Sequence, residues 1–593
     1  YEYNKYAPTE WSYDPNPVAM LELPNRYNDI FNVFGNVFAQ IKLYKGLSYR
    51  VQYSFERYHD TFKDFRPVYS STFSEDNLAN QESKYNKETQ LNNNSAVTSN
   101  YQVEQRLNYN TTIGRHKLDA MVAMTYEKNS SEGINAFKRK ALGNDEIYQI
   151  LDAQTAGDNT SGGKETSSML SYLGRINYVY DDRYLATVNF RADGSSKFAR
   201  GHRYGYFPSI SAGWIMTNEK FMESTRSWLD YFKLRVSWGQ VGNQNIDNYQ
   251  YLAPITSQYI YYYFGNSHQN SSTEAAALGN NWGAYPSRLA NEKLTWETSE
   301  QTNIGFDARF FDSRFGVNFD FYMKTTKDWL LTAPILNTAG TGAPYINGGD
   351  VKNTGVELAL TWDDTLGKDF KYNISLNGSY NKNEVGNIPT SDGIIHGAGE
   401  FYRAENGQPI GYFWGYKTAG IFQNTQEIDE WRAAGNGILQ SNVQPGDVRF
   451  VDRNHDGQIN DKDKVNLGNG TPDFTLGLNL GFVYKGFDFS IVANGAFGQQ
   501  IVQSYRNHTR PTPNYTTAIL DRWHGEGTSN RIPRVTDSNI NYQFSDLFIQ
   551  NGDYLRLSTL TLGYDFAKLF KGKAVSQARL YFQVQNLFII TGY

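Results

Sequence analysis

Between positions 452 and 463 the chain reads Asp-Arg-Asn-His-Asp-Gly-Gln-Ile-Asn-Asp-Lys-Asp. Oxygen-bearing side chains stand first, third and fifth: Asp452, Asn454 and Asp456. Gly457 follows, where a sharp turn is needed. Gln458 stands seventh, the place that supplies a backbone carbonyl, and Asp463 stands twelfth. Asn460 stands ninth, where a ligand commonly acts through water. This spacing wraps oxygen ligands around a hard cation, and the cation expected is calcium in a structural role. Asp in the twelfth place is shorter than the usual Glu, which weakens the grip. The competing reading is a polar loop of Asx turns without metal. His455 reads as a solvent-facing spacer.

No comparable set supports catalysis. The eight His form no His-Glu-x-x-His, and the chain has no G-x-S-x-G, no P-loop and no G-x-G-x-x-G. It has no Cys, so thiolate metal sites, Cys nucleophiles and disulfides are excluded. The chain is therefore expected not to be an enzyme. Candidate ligand contacts are aromatic. Tyr261, Tyr262, Tyr263 and Trp282 fall in the long connection 239–297, and Trp414 falls in 385–471. Aromatic faces stack on sugars, and they equally fill protein interfaces or pack a loop.

The elements that hold these loops alternate with period two. From Phe474, one face reads Phe474, Leu476, Leu478, Leu480, Phe482, Tyr484, and the other reads Thr475, Gly477, Asn479, Gly481, Val483. Such alternation gives a strand one apolar and one small or polar face, and a helical period would mix the two sets. Sixteen segments of this kind run between residues 31 and 590. Their connections alternate short and long. Short ones include Tyr44-Lys45, Asp182, Asp312-Ser313 and Lys485. The long ones are 58–98, 129–165, 196–206, 239–297, 329–350, 385–471 and 501–550. Short turns at one end and long loops at the other mark an outer-membrane barrel. Aromatics near segment ends, such as Tyr44, Trp214, Trp238, Trp329 and Trp362, fit interfacial girdles.

Composition agrees. In 593 residues there are 44 Tyr, 36 Phe and 11 Trp, too aromatic for a disordered chain. Net charge is −5, which argues against nucleic acid as a partner. No apolar run is long enough for a spanning helix. The expected fold class is all-β, a large transmembrane antiparallel β-barrel embedded in the lipid bilayer.

Several stretches carry a more specific signal. They are RADGSSKFARGHRYGYFPSISAGW (191–214), KLRVSWGQVGNQNIDNY (233–249), LTWETSEQTNIGFD (294–307), NTGVEL (353–358) and PGDVRFVDRNHDGQINDKD (445–463). FTLGLNLGFVYKGFDFS and ARLYFQVQNLFIIT follow. In this order they resemble the SusC/RagA-type TonB-dependent outer-membrane transporters of Bacteroidetes. The resemblance implies a 22-stranded barrel, with residues 1–593 forming part of it and 385–471 an extracellular loop. The family's N-terminal plug has no counterpart in this sequence. Sixteen strands out of 22 imply five before this segment and one after it. The resemblance further implies import of an oligosaccharide or oligopeptide, a SusD-like surface lipoprotein as lid, and energy from TonB through the missing plug. A barrel serving as receptor or scaffold without transport is the alternative.

Overall fold

The computed structural model describes residues 17–70, 85–86, 88–259, 282–397, 401–503, 517–536, 539–566 and 578–592. Its frame is one sixteen-stranded sheet. The strands are β1 (Asn25–Tyr44), β2 (Leu47–Arg66), β3 (Gln90–Ile113), β4 (His116–Ala141), β5 (Gln154–Tyr180), β6 (Tyr184–Ser195), β7 (Tyr204–Ile215) and β8 (Leu229–Asn243). They continue as β9 (Glu297–Phe310), β10 (Phe315–Lys327), β11 (Asp350–Leu366), β12 (Phe370–Gly386), β13 (Phe474–Tyr484), β14 (Phe487–Phe497), β15 (Tyr554–Asp565) and β16 (Arg579–Thr591). Spatial order equals chain order, and paired neighbours are antiparallel. All the short turns therefore lie at one end and all the long connections at the other.

Register explains the two faces. In β6 the even residues Val188 and Phe190 point outward, and the odd residues Asn189, Arg191 and Asp193 point inward. The outward set stays open: Ile210 is 52% exposed and Ile304 55%. Large apolar side chains exposed on strand after strand have no place in water and suit a hydrocarbon surround. The inward set is polar and bonded to itself. The Arg235 guanidinium donates to Asp307 at 3.0 Å and to Asp320 at 2.9 Å. Asn318 donates to Asp307, and Arg309 donates to Asn318.

Aromatic rings mark the short-turn end. Trp228 lies 6.0 Å from Phe310, and Phe310 lies 5.7 Å from Phe315. Phe315 lies 5.7 Å from Trp362. Tyr184 stacks on Trp214, and Glu219 in the turn accepts from both Tyr184 Oη and Trp214 Nε1. These hydrogen bonds, with the Arg183 charge, hold the Glu219 carboxyl below its usual range.

The long connections 58–98 and 129–165 are shorter than expected. β3, β4 and β5 contain 24, 26 and 27 residues, against roughly ten needed to cross a bilayer. At about 3.3 Å per residue the longest runs close to 90 Å along its axis. Apolar alternation fades over the extension, because both faces meet water there. Cross-strand polar pairs replace it. Asn135 donates to Asn92 at 2.8 Å, and Lys164 donates to Glu132 at 2.9 Å.

Candidate functional site

Two long connections fold together into one body at the long-connection end. The first, 387–473, carries a small sheet of Ile394–His396, Tyr402–Glu405, Tyr412–Tyr416 and Lys464–Asn466. A helix, Thr425–Ala433, follows in the same connection. Asn424 caps it by accepting from Glu427 N–H, while the Glu427 carboxylate accepts from Gln423 N–H. The second connection, 498–553, closes over the first. Tyr416 N–H donates to the Phe544 carbonyl, and Thr418 donates to Asp546 through both N–H and hydroxyl.

The junction is a buried polar network. Asp447 is 1% exposed and Asn541 0%. Asn541 Nδ2 donates to Asp447 at 2.8 Å, and Arg534 Nε donates to it at 2.7 Å. Asn541 Oδ1 accepts from Val448 N–H and from Gln440 Nε2, both at 3.0 Å. Beside it, Tyr416, Val448, Phe450 and Ile459 form an apolar cluster with Leu439 and Leu547 packed against it. Burial, with Asp461 and Asp463 nearby, pushes the Tyr416 phenol up to about 12.

The 452–463 segment sits against this core. Asp452 Oδ2 accepts from Gly437 N–H at 3.1 Å and from Gly457 N–H at 2.9 Å. Asp463 Oδ1 accepts from Arg453 N–H, and its Oδ2 accepts from Asn460 N–H. Asn454 accepts from Asp456 N–H, and Asp456 accepts from Gln458 N–H. Gly457 has φ +79°, the left-handed conformation its position was expected to need. Among the described residues, no three carboxylate, His or Cys side chains gather closely enough to hold a metal by themselves.

The aromatic candidates separate. Tyr261, Tyr262 and Tyr263 lie outside the described residues. Trp282 opens a short strand, Trp282–Pro286, that pairs with Ile255–Tyr259 of the same connection between β8 and β9. Trp414 is half-buried in the small sheet, with the Arg403 guanidinium 4.1 Å above its ring and Tyr412 edge-on. Burial and the Glu405 carboxylate push the Tyr412 phenol up. Arg403, Asp447, Arg534 and Asn541 are absent from the sequence-based candidates. Asp447 lies in the 445–463 stretch, but its partners Arg534 and Asn541 are distant in the chain and no short motif surrounds them.

Three of the ordered motifs meet at a second cluster. Phe198 and Phe207 come from the first, Ile246 from the second, and Leu294 and Trp296 from the third. Trp296 Nε1 donates to the Arg203 carbonyl at 2.8 Å, and Lys197 Nζ donates to the Ile246 carbonyl at 2.6 Å. Gly242 lies against the Phe207 ring, where any Cβ would overlap it. An open recess beside this cluster is lined by Arg191, Asp193, Phe207, Gln240, Gln244 and Trp296.

A sequence model described as "TonB dependent receptor-like, beta-barrel" matches residues 2–587. The chain belongs to that family. This TonB-dependent receptor barrel is 30% identical over 511 residues to "TonB-dependent receptor P3" of Formosa agariphila, covering 84% of this chain and 48% of that protein. It is 30% identical over 436 residues to "TonB-dependent receptor SusC" of Bacteroides thetaiotaomicron, covering 72% of this chain and 41% of that one. The chain spans about half the length of the curated relatives it matches. A solved structure, the RagAB peptide transporter, superposes with a TM-score of 0.79 at 22% identity, covering 98% of this chain and 60% of that one. The likeness confirms the fold: the sixteen strands are wall of an outer-membrane β-barrel.

Proposed function

We propose that the whole protein imports a nutrient oligomer, an oligosaccharide or an oligopeptide, across the outer membrane. In this reading the long-connection end faces outward and a SusD-like surface lipoprotein closes over it. Energy arrives from TonB through a plug domain encoded outside these residues. The observation that carries the reading is membership of the TonB-dependent receptor family across residues 2–587. The relative named SusC and the neighbour named a RagAB peptide transporter support it. The folded body formed by 387–473 and 498–553 offers a lid a firm surface to rest on. The receptor-barrel family supports reading the protein as a transporter and not an enzyme.

The test is uptake by cells carrying or lacking the full-length gene, with fluorescent oligosaccharides and oligopeptides offered separately. Uptake of one class should vanish in the deletion and on removal of TonB. Gentle detergent extraction should recover the barrel with a lipoprotein of distinct sequence. A bare barrel and unchanged uptake of both classes would favour a receptor or scaffold that transports nothing.

A further inference from the structure

Asp447, Asp452 and Asp463 are all buried in the same body, at 1%, 1% and 0% exposure. Their treatment differs. Asp447 receives a cation from within the chain, the Arg534 guanidinium at 2.7 Å. Asp452 and Asp463 receive none: their hydrogen-bond donors are backbone N–H groups only. Of the basic neighbours in sequence, Arg453 gives Asp463 only its backbone N–H, and Lys464 is turned to Asp461, at 2.7 Å. One oxygen is left over. Asp452 Oδ1 is buried and accepts no hydrogen bond. A buried carboxylate oxygen without a donor or counter-charge is costly, and proteins supply a partner or a metal.

We propose that the loop from Asp452 to Asp463 binds one calcium ion, which supplies the missing counter-charge. Asp452 Oδ1 is the central ligand. The two carboxylates are anchored from opposite parts of the loop: Asp452 by Gly457 N–H, Asp463 by the N–H groups of Arg453 and Asn460. The acidic side chains alone do not complete a shell. The amide oxygen of Asn454, the carboxylate of Asp456 and the carbonyl of Gln458 stand at the positions that complete it once Asp456, bonded in this structure to Asn454 Nδ2 at 2.8 Å, turns inward. All donors are oxygen, and carbonyl and amide donors mixed with carboxylates suit calcium better than the small, rigid shell of magnesium.

The site's neighbours give it a structural role. Ile459, between ligand positions, is buried in the cluster with Tyr416, Val448 and Phe450. Gly437, whose N–H meets Asp452, also accepts from Trp431 Nε1 at 3.2 Å, which ties the helix Thr425–Ala433 to the loop. The ion thus fastens the helix, the loop and the apolar core in one place. A connection of this length loses much chain entropy on ordering, and a clamp at its centre offsets that loss. The proposal stands independently of what the protein transports.

The test uses full-length protein in detergent, stripped with chelator. Terbium replaces calcium, and Trp431, hydrogen-bonded to the Gly437 whose N–H meets Asp452, is the expected sensitiser of its emission. Bound terbium should be displaced by calcium with a dissociation constant on the order of 10⁻⁴ to 10⁻³ M, and by magnesium far more weakly. Asp452→Asn keeps one acceptor for the two glycine N–H groups and should weaken binding at least tenfold. Asp461→Asn removes a charge of the same sign from the same loop, outside the shell, and should leave binding unchanged. If Asp452→Asn fails to fold, Asp456→Asn, at an exposed position, takes its place with the same expectation. Chelator should also open 387–473 to protease and calcium should close it again. No calcium-displaceable signal at roughly ten times the upper constant, or equal losses in Asp461→Asn and Asp452→Asn, overturns the site.

Discussion

At the scale of single residues, the body at the long-connection end depends on a few buried polar groups. Asp447 is the most consequential, because Arg534 and Asn541 both donate to its carboxylate. Removing one partner of a buried ion pair leaves the other charge unpaired, at a typical cost of about 3–5 kcal/mol. Arg534→Ala should therefore loosen the junction of the two connections while the strands stay folded. Hydrogen exchange would show this as faster exchange at Val448 N–H with β8 to β10 unchanged. Unaltered protection at Val448 would mean that the network adds nothing. Tyr416 gives a second prediction. Its phenol is raised to about 12 in the folded body, against roughly 10 in an unfolded chain. The folded state holds the neutral form more tightly, so its contribution is complete below about pH 10. That contribution is lost as pH rises toward 12. Protease resistance of the body should fall across that window, and Tyr416→Phe should flatten the fall.

Elements meet through a small number of contacts between distant strands. β7 and the two ends of the connection between β8 and β9 converge on Phe207, Ile246 and Trp296. Phe207 is 6% exposed, and truncating a buried Phe to Ala costs about 3–5 kcal/mol. Gly242 is the matching small partner, because a side chain there would occupy the space of the Phe207 ring. Gly242→Val should lower the temperature of heat-induced unfolding on semi-native gels, as Phe207→Ala does. The combination Gly242→Val with Phe207→Ala should recover part of the loss, since the second change vacates the volume the first requires. Strictly additive losses would show that the two positions do not share one space. The same cluster joins motifs scattered over a hundred residues of the chain. Each contributes one or two side chains to a single packing site.

The whole molecule has two chemically distinct ends, and the import reading assigns them to opposite sides of the membrane. Asp312 and Ser313 lie in a tight turn at the short-turn end, both at positive φ. Asp429 lies exposed on the helix Thr425–Ala433 at the other. The chain has no Cys of its own, so single introduced cysteines report cleanly. On intact cells an impermeant maleimide should label Asp429→Cys and leave Ser313→Cys silent until the outer membrane is opened. The reverse pattern would invert the orientation and remove the basis for an external lid.

Much of the frame is legible in the residue order alone. All sixteen strands follow from period-two alternation, because a strand between lipid and a polar lumen must change chemistry at every step. The alternation of short and long connections then sets which ends lie together. The reach of β3 to β5 beyond the membrane was not legible, since strands wet on both faces carry no hydrophobic alternation. The Asp452–Asp463 segment stood out in the sequence as a spaced series of oxygen-bearing side chains, because its members are close together. Its fit to the core through Gly437 and Ile459 was not. The pairing of Asp447 with Arg534, the Arg403–Trp414 stack and the meeting of three motifs at Phe207 were decided by tertiary structure alone. Arg403 meets Trp414 through the pairing of two short strands within one connection, while the other partners come from separate strands or connections that only the closing of the sheet and the folding of two long connections onto each other bring together.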